Sequence, residues 1–247
     1  MELTPMNSEK YLVESEKFEI INYHGDQSVF FYVFRHCYIG SVIKSGQCWE
    51  PHLHRVFEKY VNSDSVVIEG GCHIGTHSIK LSKLSKKLIC FEPLKQSNDL
   101  LKQNLLINDC NNATVYDAGI SDTISKTKFA WVPFGNVGAS GLHDNPMGII
   151  GDGKIDECYD INLKSIDCLG LEQLDFVKLD VEGYETKAIC GGIDTITKCR
   201  PIIVLECWSS HQGGCDLEYT KMKFKMLTDI GYTVTQIGNN PDWLFLP

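Results

Sequence analysis

Four short apolar runs, Val66–Ile68, Leu88–Phe91, Phe176–Leu179 and Ile202–Leu205, each stop on a carboxylate: Glu69, Glu92, Asp180 and Glu206. Short apolar runs of this kind, bounded by turn signals, suit strands buried on both faces, as in a parallel sheet. Helix-period stretches lie between them. Ile74–Leu84 follows the first run, Leu94–Asn108 (with Leu101 and Leu105 on one face) follows the second, and another helix begins near Tyr184. Ala113–Tyr116 is a third strand. Near the C-terminus a helix carrying Tyr219, Met222, Met226, Leu227 and Ile230 leads into Tyr232–Ile237, a Gly-Asn-Asn turn and Trp243–Leu246, two strands close enough to pair antiparallel. Strands alternating with helices build βαβ units. The expectation is therefore an α/β fold: seven strands, mostly parallel, closing on an antiparallel C-terminal hairpin, with helices on both faces.

Two regions stand outside this alternation. Residues 18–39 are rich in aromatic and β-branched residues around a His-Gly-Asp turn, which predicts a hairpin in an N-terminal extension, residues 1–48, before the main domain, residues 49–247. A helix is expected next, with Trp49, Leu53, Val56, Phe57, Tyr60 and Val61 at helical spacing. The stretch 121–163 is too long for a simple connection. An inserted hairpin is expected there, Lys128–Val132 pairing with Tyr159–Leu163 around a glycine-rich segment, 135–141. It is read either as a surface loop or as a substrate lid.

Charge narrows the partners. The chain of 247 residues has a net charge of −9, and its densest basic group, Lys80 to Lys87, carries four charges. A nucleic-acid binder needs clustered Lys and Arg to displace counterions from phosphates, so no nucleic-acid partner is expected. The longest apolar run, Val29–Phe34, is too short for a bilayer, and Met1–Lys17 is polar and unlike a secretion signal. Eleven cysteines form an odd number with no C-x-x-C pair, and Cys90, Cys190 and Cys207 fall in expected core elements. A soluble, cytoplasmic protein in a reducing compartment, with no membrane partner, is the expectation. Nothing in the sequence sets the oligomeric state.

Open parallel sheets bind ligands beyond the carboxyl ends of their strands, where strand order reverses. There the first run continues as Glu69-Gly-Gly-Cys-His-Ile-Gly75, in which Gly71 and Gly75 permit a tight turn and close backbone approach. Glu92 ends the neighbouring strand, placed to accept hydrogen bonds from a ribose diol. A dinucleotide site wants a third glycine in register for pyrophosphate. None occurs, and Glu69 would repel phosphate. S-adenosylmethionine is phosphate-free and carries a sulfonium and an ammonium, so it suits these carboxylates. Asp117 and Ala118, after the third strand, are placed to meet adenine. Glu50, at the start of the helix before the first strand, either closes the cofactor pocket or is a helix N-terminal acid.

The segments Val66–Gly75, Phe91-Glu-Pro93, Ala118-Gly-Ile-Ser-Asp122, Phe176–Glu185 and Ile202–Glu206 come in the order found in the FkbM family of methyltransferases, and the chain resembles that family from about Trp49 onward. The resemblance implies the seven-stranded, Rossmann-like sheet of class I methyltransferases. It also implies O-methylation of a hydroxyl on a sugar, a glycan or a glycosylated small molecule. The family usually has Asp and an Ala-Asn pair where this chain has Glu69 and Cys72-His73.

Two readings of the catalytic carboxylates stay open. Asp180 and Glu206 hold a divalent cation such as Mg2+ that binds the acceptor hydroxyl. Alternatively, Asp180 or Glu182 acts as base or orienter without metal, Glu185 being either part of the site or a helix cap. His143 and His211, on loops, are further candidates for the proton acceptor. Two other functions remain as alternatives: a nicotinamide-dependent oxidoreductase, and a non-catalytic module that binds the same donor.

Overall fold

The computed structural model describes residues 18–22, 29–131, 141–142, 157–209 and 214–247. The chain opens with β1 (Phe18–Asn22), β2 (Phe30–Phe34), α1 (Tyr38–Lys44) and α2 (Pro51–Tyr60). The expected alternation follows: β3 (Val66–Gly70), α3 (Ser78–Leu84), β4 (Lys87–Phe91), α4 (Lys95–Ile107) and β5 (Ala113–Tyr116). Four strands come next, β6 (Gly119–Ile120), β7 (Ser125–Trp131), β8 (Gly141–Leu142) and β9 (Glu157–Lys164). The chain then runs through β10 (Phe176–Leu179), α5 (Glu185–Cys190), α6 (Ile193–Cys199), β11 (Ile202–Glu206), α7 (Leu217–Lys223), α8 (Lys225–Asp229), β12 (Thr233–Gln236) and β13 (Asp242–Leu246).

Seven strands form one sheet in the order β12-β13-β11-β10-β3-β4-β5. Only β13 runs against the rest, pairing antiparallel with both β11 and β12. Order reverses at β3, because the chain builds outward to β5 and then returns to lay β10 on the other side of β3. That reversal opens a crevice at the carboxyl ends of β3 and β10. All five residues of β3 and all four of β10 are buried, which explains why both read as continuous apolar runs.

Side chains alternate across the sheet. Val67, Cys90, Phe176 and Val204 point to the face covered by α2, α3, α4 and the N-terminal hairpin. Ile68, Phe91, Val177 and Leu205 point to the other, packed by residues of α5, α6, α7 and α8. The hairpin shares the first core and has none of its own. Its edge is held by two asparagines one helical turn apart, Asn104 on α4 and Asn108 at its C-terminal cap. Tyr32 N donates to Asn104 Oδ1 at 2.6 Å and Asn104 Nδ2 donates to Tyr32 O at 3.0 Å, while Asn108 makes the same pair of bonds to Phe30 at 2.9 and 2.7 Å. A helix side chain thus satisfies backbone that a further strand would otherwise cover.

Several boundaries differ from the sequence reading. Tyr38–Lys44 is helical, although Val42 and Ile43 favour strand; tertiary packing of Ile39 and Ile43 overrides propensity. The helix after β3 starts at Ser78 instead of Ile74, because Gly75 takes φ +90° and His73 φ +49°. Trp49 and Val61 fall outside α2. In the inserted region β7 pairs antiparallel with β9, Lys128 opposite Asp160 and Ser125 opposite Leu163. β6 joins β9 in parallel, and β8 extends the other edge. Residues 132–140, His143 and His211 lie outside the described residues. Cys90 and Cys207 are buried, but Cys190 is exposed at the end of α5, against its expected place in the core. Among the described residues no helix is long and apolar enough to cross a membrane.

Candidate functional site

Strand register decides which polar residues meet. Lys178 lies opposite Glu69 on β3 and Val204 on β11, so all three side chains project toward α2 and α3. Two residues on from Val204, Glu206 lies opposite Asp242, the first residue of β13. The carboxyl ends of β3, β10 and β11 and the start of β13 therefore gather Glu69, Lys178, Glu206 and Asp242 on one face of one edge.

Lys178 is the centre of this set. Its side chain is 3% exposed, and Nζ donates to Asp180 Oδ2 at 3.2 Å. Burial alone would lower its pKa, but Asp180, Glu69 and Glu50 hold it above the ordinary lysine value. Glu50 precedes α2 in a left-handed conformation, φ +43°, and makes no side-chain capping bond. It instead accepts a hydrogen bond from His77 Nε2 at 2.7 Å. Burial would raise Glu50, yet the hydrogen bond and charge of His77, with Lys178, keep it at about 2. The helix-cap reading of Glu50 therefore gives way to a bridge between α2 and the glycine loop.

That loop is tightly fixed. A Cβ on Gly71, at φ +76°, would stand 1.6 Å from the carbonyl oxygen of Asp180, so no side chain fits where the loop crosses the end of β10. Gly71 N donates to Phe91 O at 3.0 Å and Gly75 N to Cys72 O at 2.8 Å. Glu69 lies beneath the loop, 1% exposed, and accepts from Ser78 Oγ at 2.5 Å. Burial raises its pKa, opposed by Lys178 and His77. Glu92 accepts from His73 N at 2.7 Å through one oxygen and from Leu94 N at 2.8 Å through the other. A carboxylate has about four acceptor sites, so one on each oxygen is left over. Burial pushes Glu92 up to about 8. Both ring nitrogens of His73 are buried with no partner among the described residues, and burial and Lys178 hold that ring down at about 4.

The loop after β10 separates the roles of its acids. Glu185 accepts from Val181 N at 3.0 Å and Gly183 N at 3.1 Å, so it closes the turn as a structural group. Asp180 stays partly open beside Lys178, its side chain 34% exposed. Glu182 has φ +51°, and burial with the nearby charges of Asp180 and Glu185 raises its pKa well above the carboxylate range. Glu206 is raised too, by burial and by Asp180 and Glu182. Among the described residues, three of the five non-glycine residues with positive φ (Glu50, His73 and Glu182) sit at this edge. Backbone strain of this sort persists where surrounding structure imposes it, and it clusters at functional sites. Asp117 is exposed after β5, whereas Ala118 is buried in the second core.

The expected cation pair, Asp180 and Glu206, is not joined by a third ligand-type group among the described residues. Among the described residues, three ligand-type groups converge within 4.8 Å only at Glu69, Cys72 and Cys90. That group is sealed under the loop, where the Cys72 thiol donates to Glu69 O at 3.2 Å. Asp180 and Glu206 join no such group, and the ammonium of Lys178 already sits on Asp180. Sequence reasoning missed Lys178, His77, His52 and Asp242. Lys178 carried a signal, a lone charge inside a four-residue strand that is otherwise apolar. The others carried none, since His52 Nε2 meets Asp242 Oδ2 at 2.7 Å across a sequence separation of 190 residues.

Known proteins resemble this chain in sequence and in fold. Residues 70–234 match the methyltransferase FkbM domain. The chain is 25% identical over 158 residues to the 2-O-methyltransferase NoeI of Sinorhizobium fredii; the match covers 56% of this chain and 61% of that relative. It is 24% identical over 202 residues to the methyltransferase sdnD of Sordaria araneosa, covering 70% of this chain and 76% of the other. The crystal structure of the methyltransferase FkbM from Methylobacillus flagellatus superposes with a TM-score of 0.51 at 13% identity, over 78% of this chain and half of that one. The superposition supports the Rossmann-like seven-stranded fold.

Proposed function

This chain belongs to the FkbM family of methyltransferases, and from that premise we propose that it moves a methyl group from S-adenosylmethionine to a hydroxyl of a sugar, a glycan or a glycosylated small molecule. The observation that carries the donor assignment is the surplus of carboxylates at the ligand edge. Asp180, Glu69, Glu50 and Asp242 all feel the ammonium of Lys178, and the last three also feel the imidazoles of His77 or His52. Burial holds Glu92 and Glu206 above their ordinary values, so these groups gain from a cation brought close. A phosphate-bearing cofactor would be repelled there. The unpartnered nitrogens of His73, beside the amide that binds Glu92, also fit a ligand lying against the loop.

When bound, S-adenosylmethionine supplies a methyl group already activated on a positively charged sulfonium. The chain's task is then alignment of the acceptor. Gly71 and Gly75 shape the loop against the end of β10, the open acceptor sites of Glu92 suit a ribose diol, and Asp117 stands exposed beyond β5 where the adenine would lie. Glu50 and Lys178 brace the loop from α2 and β10. A neutral, hydroxyl-rich acceptor suits an edge lined by carboxylates, which accept hydrogen bonds and reject anions. The Sinorhizobium relative is a 2-O-methyltransferase, which supports oxygen as the atom modified.

The decisive experiment incubates the chain with S-adenosylmethionine and a panel of neutral methyl glycosides and short oligosaccharides, read by mass spectrometry. A product heavier by one methylene, with S-adenosylhomocysteine formed in equal amount, is expected. No turnover of the donor with any hydroxyl acceptor would leave a binding module in place of an enzyme. Titration calorimetry of S-adenosylhomocysteine against Glu92→Gln tests the ribose contact, and unchanged affinity would remove it. Full activity after dialysis against EDTA is expected from the pairing of Lys178 with Asp180, and loss of activity restored by Mg2+ would reinstate the cation on Asp180 and Glu206.

A further inference from the structure

His52 stands in the first turn of α2, directly after the Pro51 that opens the helix. Its Nε2–H donates to Asp242 Oδ2 at 2.7 Å, and the two side chains are 16% and 8% exposed. Asp242 opens β13, the one strand of the seven-stranded sheet that runs against the rest, so it falls at the edge where the parallel strands end, opposite Glu206. Pairing with Asp242 fixes which nitrogen carries the proton. Nε2 holds it, and Nδ1 keeps a lone pair. Nδ1 has no hydrogen-bond partner among the described residues, and it is not one of the buried unpartnered atoms. It is open to a ligand.

We propose that His52, oriented by Asp242, takes the proton of the acceptor hydroxyl during methyl transfer. The inference rests on the methyltransferase reading above. As the acceptor oxygen uses an electron pair to bond the methyl carbon, the carbon–sulfur bond breaks with its pair left on sulfur. The O–H proton passes to His52 Nδ1, and the imidazolium so formed is stabilised by Asp242 until water removes the proton. Asp242 is thus a positioning residue, a buried carboxylate behind a histidine. The groups around the pair are Asp242 on β13, Glu50 before α2, Lys178 on β10 and Glu206 on β11. The carboxylates are poorer candidates for the base. Asp180 is engaged by Lys178, and Glu182 and Glu206 hold protons more tightly than ordinary carboxylates because of burial and mutual repulsion.

The test uses the intact chain, S-adenosylmethionine and the neutral glycoside panel, with His52→Gln and Asp242→Asn. His52→Gln is expected to lower kcat by about 100-fold or more, to bind S-adenosylhomocysteine within about 2-fold of the parent, and to regain rate steadily as pH rises. Nitrogen-15 NMR of the labelled imidazoles, with His52 assigned by its loss in His52→Gln, gives a readout independent of turnover. The parent should carry its proton on Nε2, and Asp242→Asn should shift the tautomer balance. A proton found on Nδ1 in the parent, or parental kcat in a folded His52→Gln, overturns the proposal while the methyltransferase reading stands. A parent chain that methylates no hydroxyl acceptor overturns both together.

Discussion

The two faces of the seven-stranded sheet are built on different principles. On the face packed by α5 to α8, Phe91, Phe245, Trp243 and Phe224 close a core whose polar groups make short, conventional bonds, such as Tyr232 Oη–H to Pro201 O at 2.7 Å. On the opposite face, Lys178, Glu69, Ser78, His77 and Asn104 are all buried within the same layer as Leu53 and Phe57. One face gains stability from apolar area removed from water. The other holds charges that favour folding only while each keeps its partner. The lesson is that a site can be placed inside a core when the strand register supplies the counter-charge, here Lys178 opposite Glu69.

Four measurements would break or sharpen that contrast. The largest effect is expected from Gly71→Ala, whose Cβ would overlap the Asp180 carbonyl oxygen. It should abolish detectable S-adenosylhomocysteine binding in calorimetry, and retained binding would show that the loop can move away from β10. Phe245→Ala on the apolar face and Lys178→Met on the charged face should each cost about 3–5 kcal/mol in urea unfolding. Their pH dependence should differ. The loss in Lys178→Met should shrink on going from pH 8 to pH 5, because the stranded carboxylates can then take up protons, while the loss in Phe245→Ala should stay constant. Equal pH dependence would erase the distinction between the faces.

A subtler effect concerns the parent chain. Glu92 is raised from 4.5 to about 8 on folding, so its contribution to stability is complete below about pH 4.5 and is lost as pH rises through 8. The melting temperature should therefore fall between pH 6 and 9, with Glu92→Gln flattening part of the decline; a melting curve that rises over this range would contradict the burial of an uncompensated carboxylate. The smallest change is expected from Asp117→Asn. This exposed residue should alter stability by less than about 0.5 kcal/mol, and a modest weakening of donor binding should be its only trace in calorimetry.

The strand ends were legible because burial on both faces writes an uninterrupted apolar run, and a carboxylate after such a run is conspicuous. Glu69, Glu92, Asp180 and Glu206 were found that way, as were the glycines of the loop. The remaining parts were not written locally. His52 and Asp242 meet only because β13 turns back against β11, and His77 is fixed by an acid that precedes α2. Lys178 does carry a local signal, because an unpaired charge cannot rest inside a buried strand, but the sequence does not show which groups pair with it. The helix at Tyr38–Lys44 escaped notice because its β-branched residues match strand propensity, and only packing against the sheet decides otherwise.

Asn104 has a wider reach than its place on α4 suggests. Besides holding Tyr32, its Nδ2 donates to Ile74 O at 2.7 Å inside the glycine loop. One carboxamide thereby splices the N-terminal hairpin to the glycine loop between β3 and α3. For anyone recombining such proteins to exchange acceptor preference, a crossover placed between the hairpin and α2 would tear this joint unless the asparagines of α4 travel with the new hairpin.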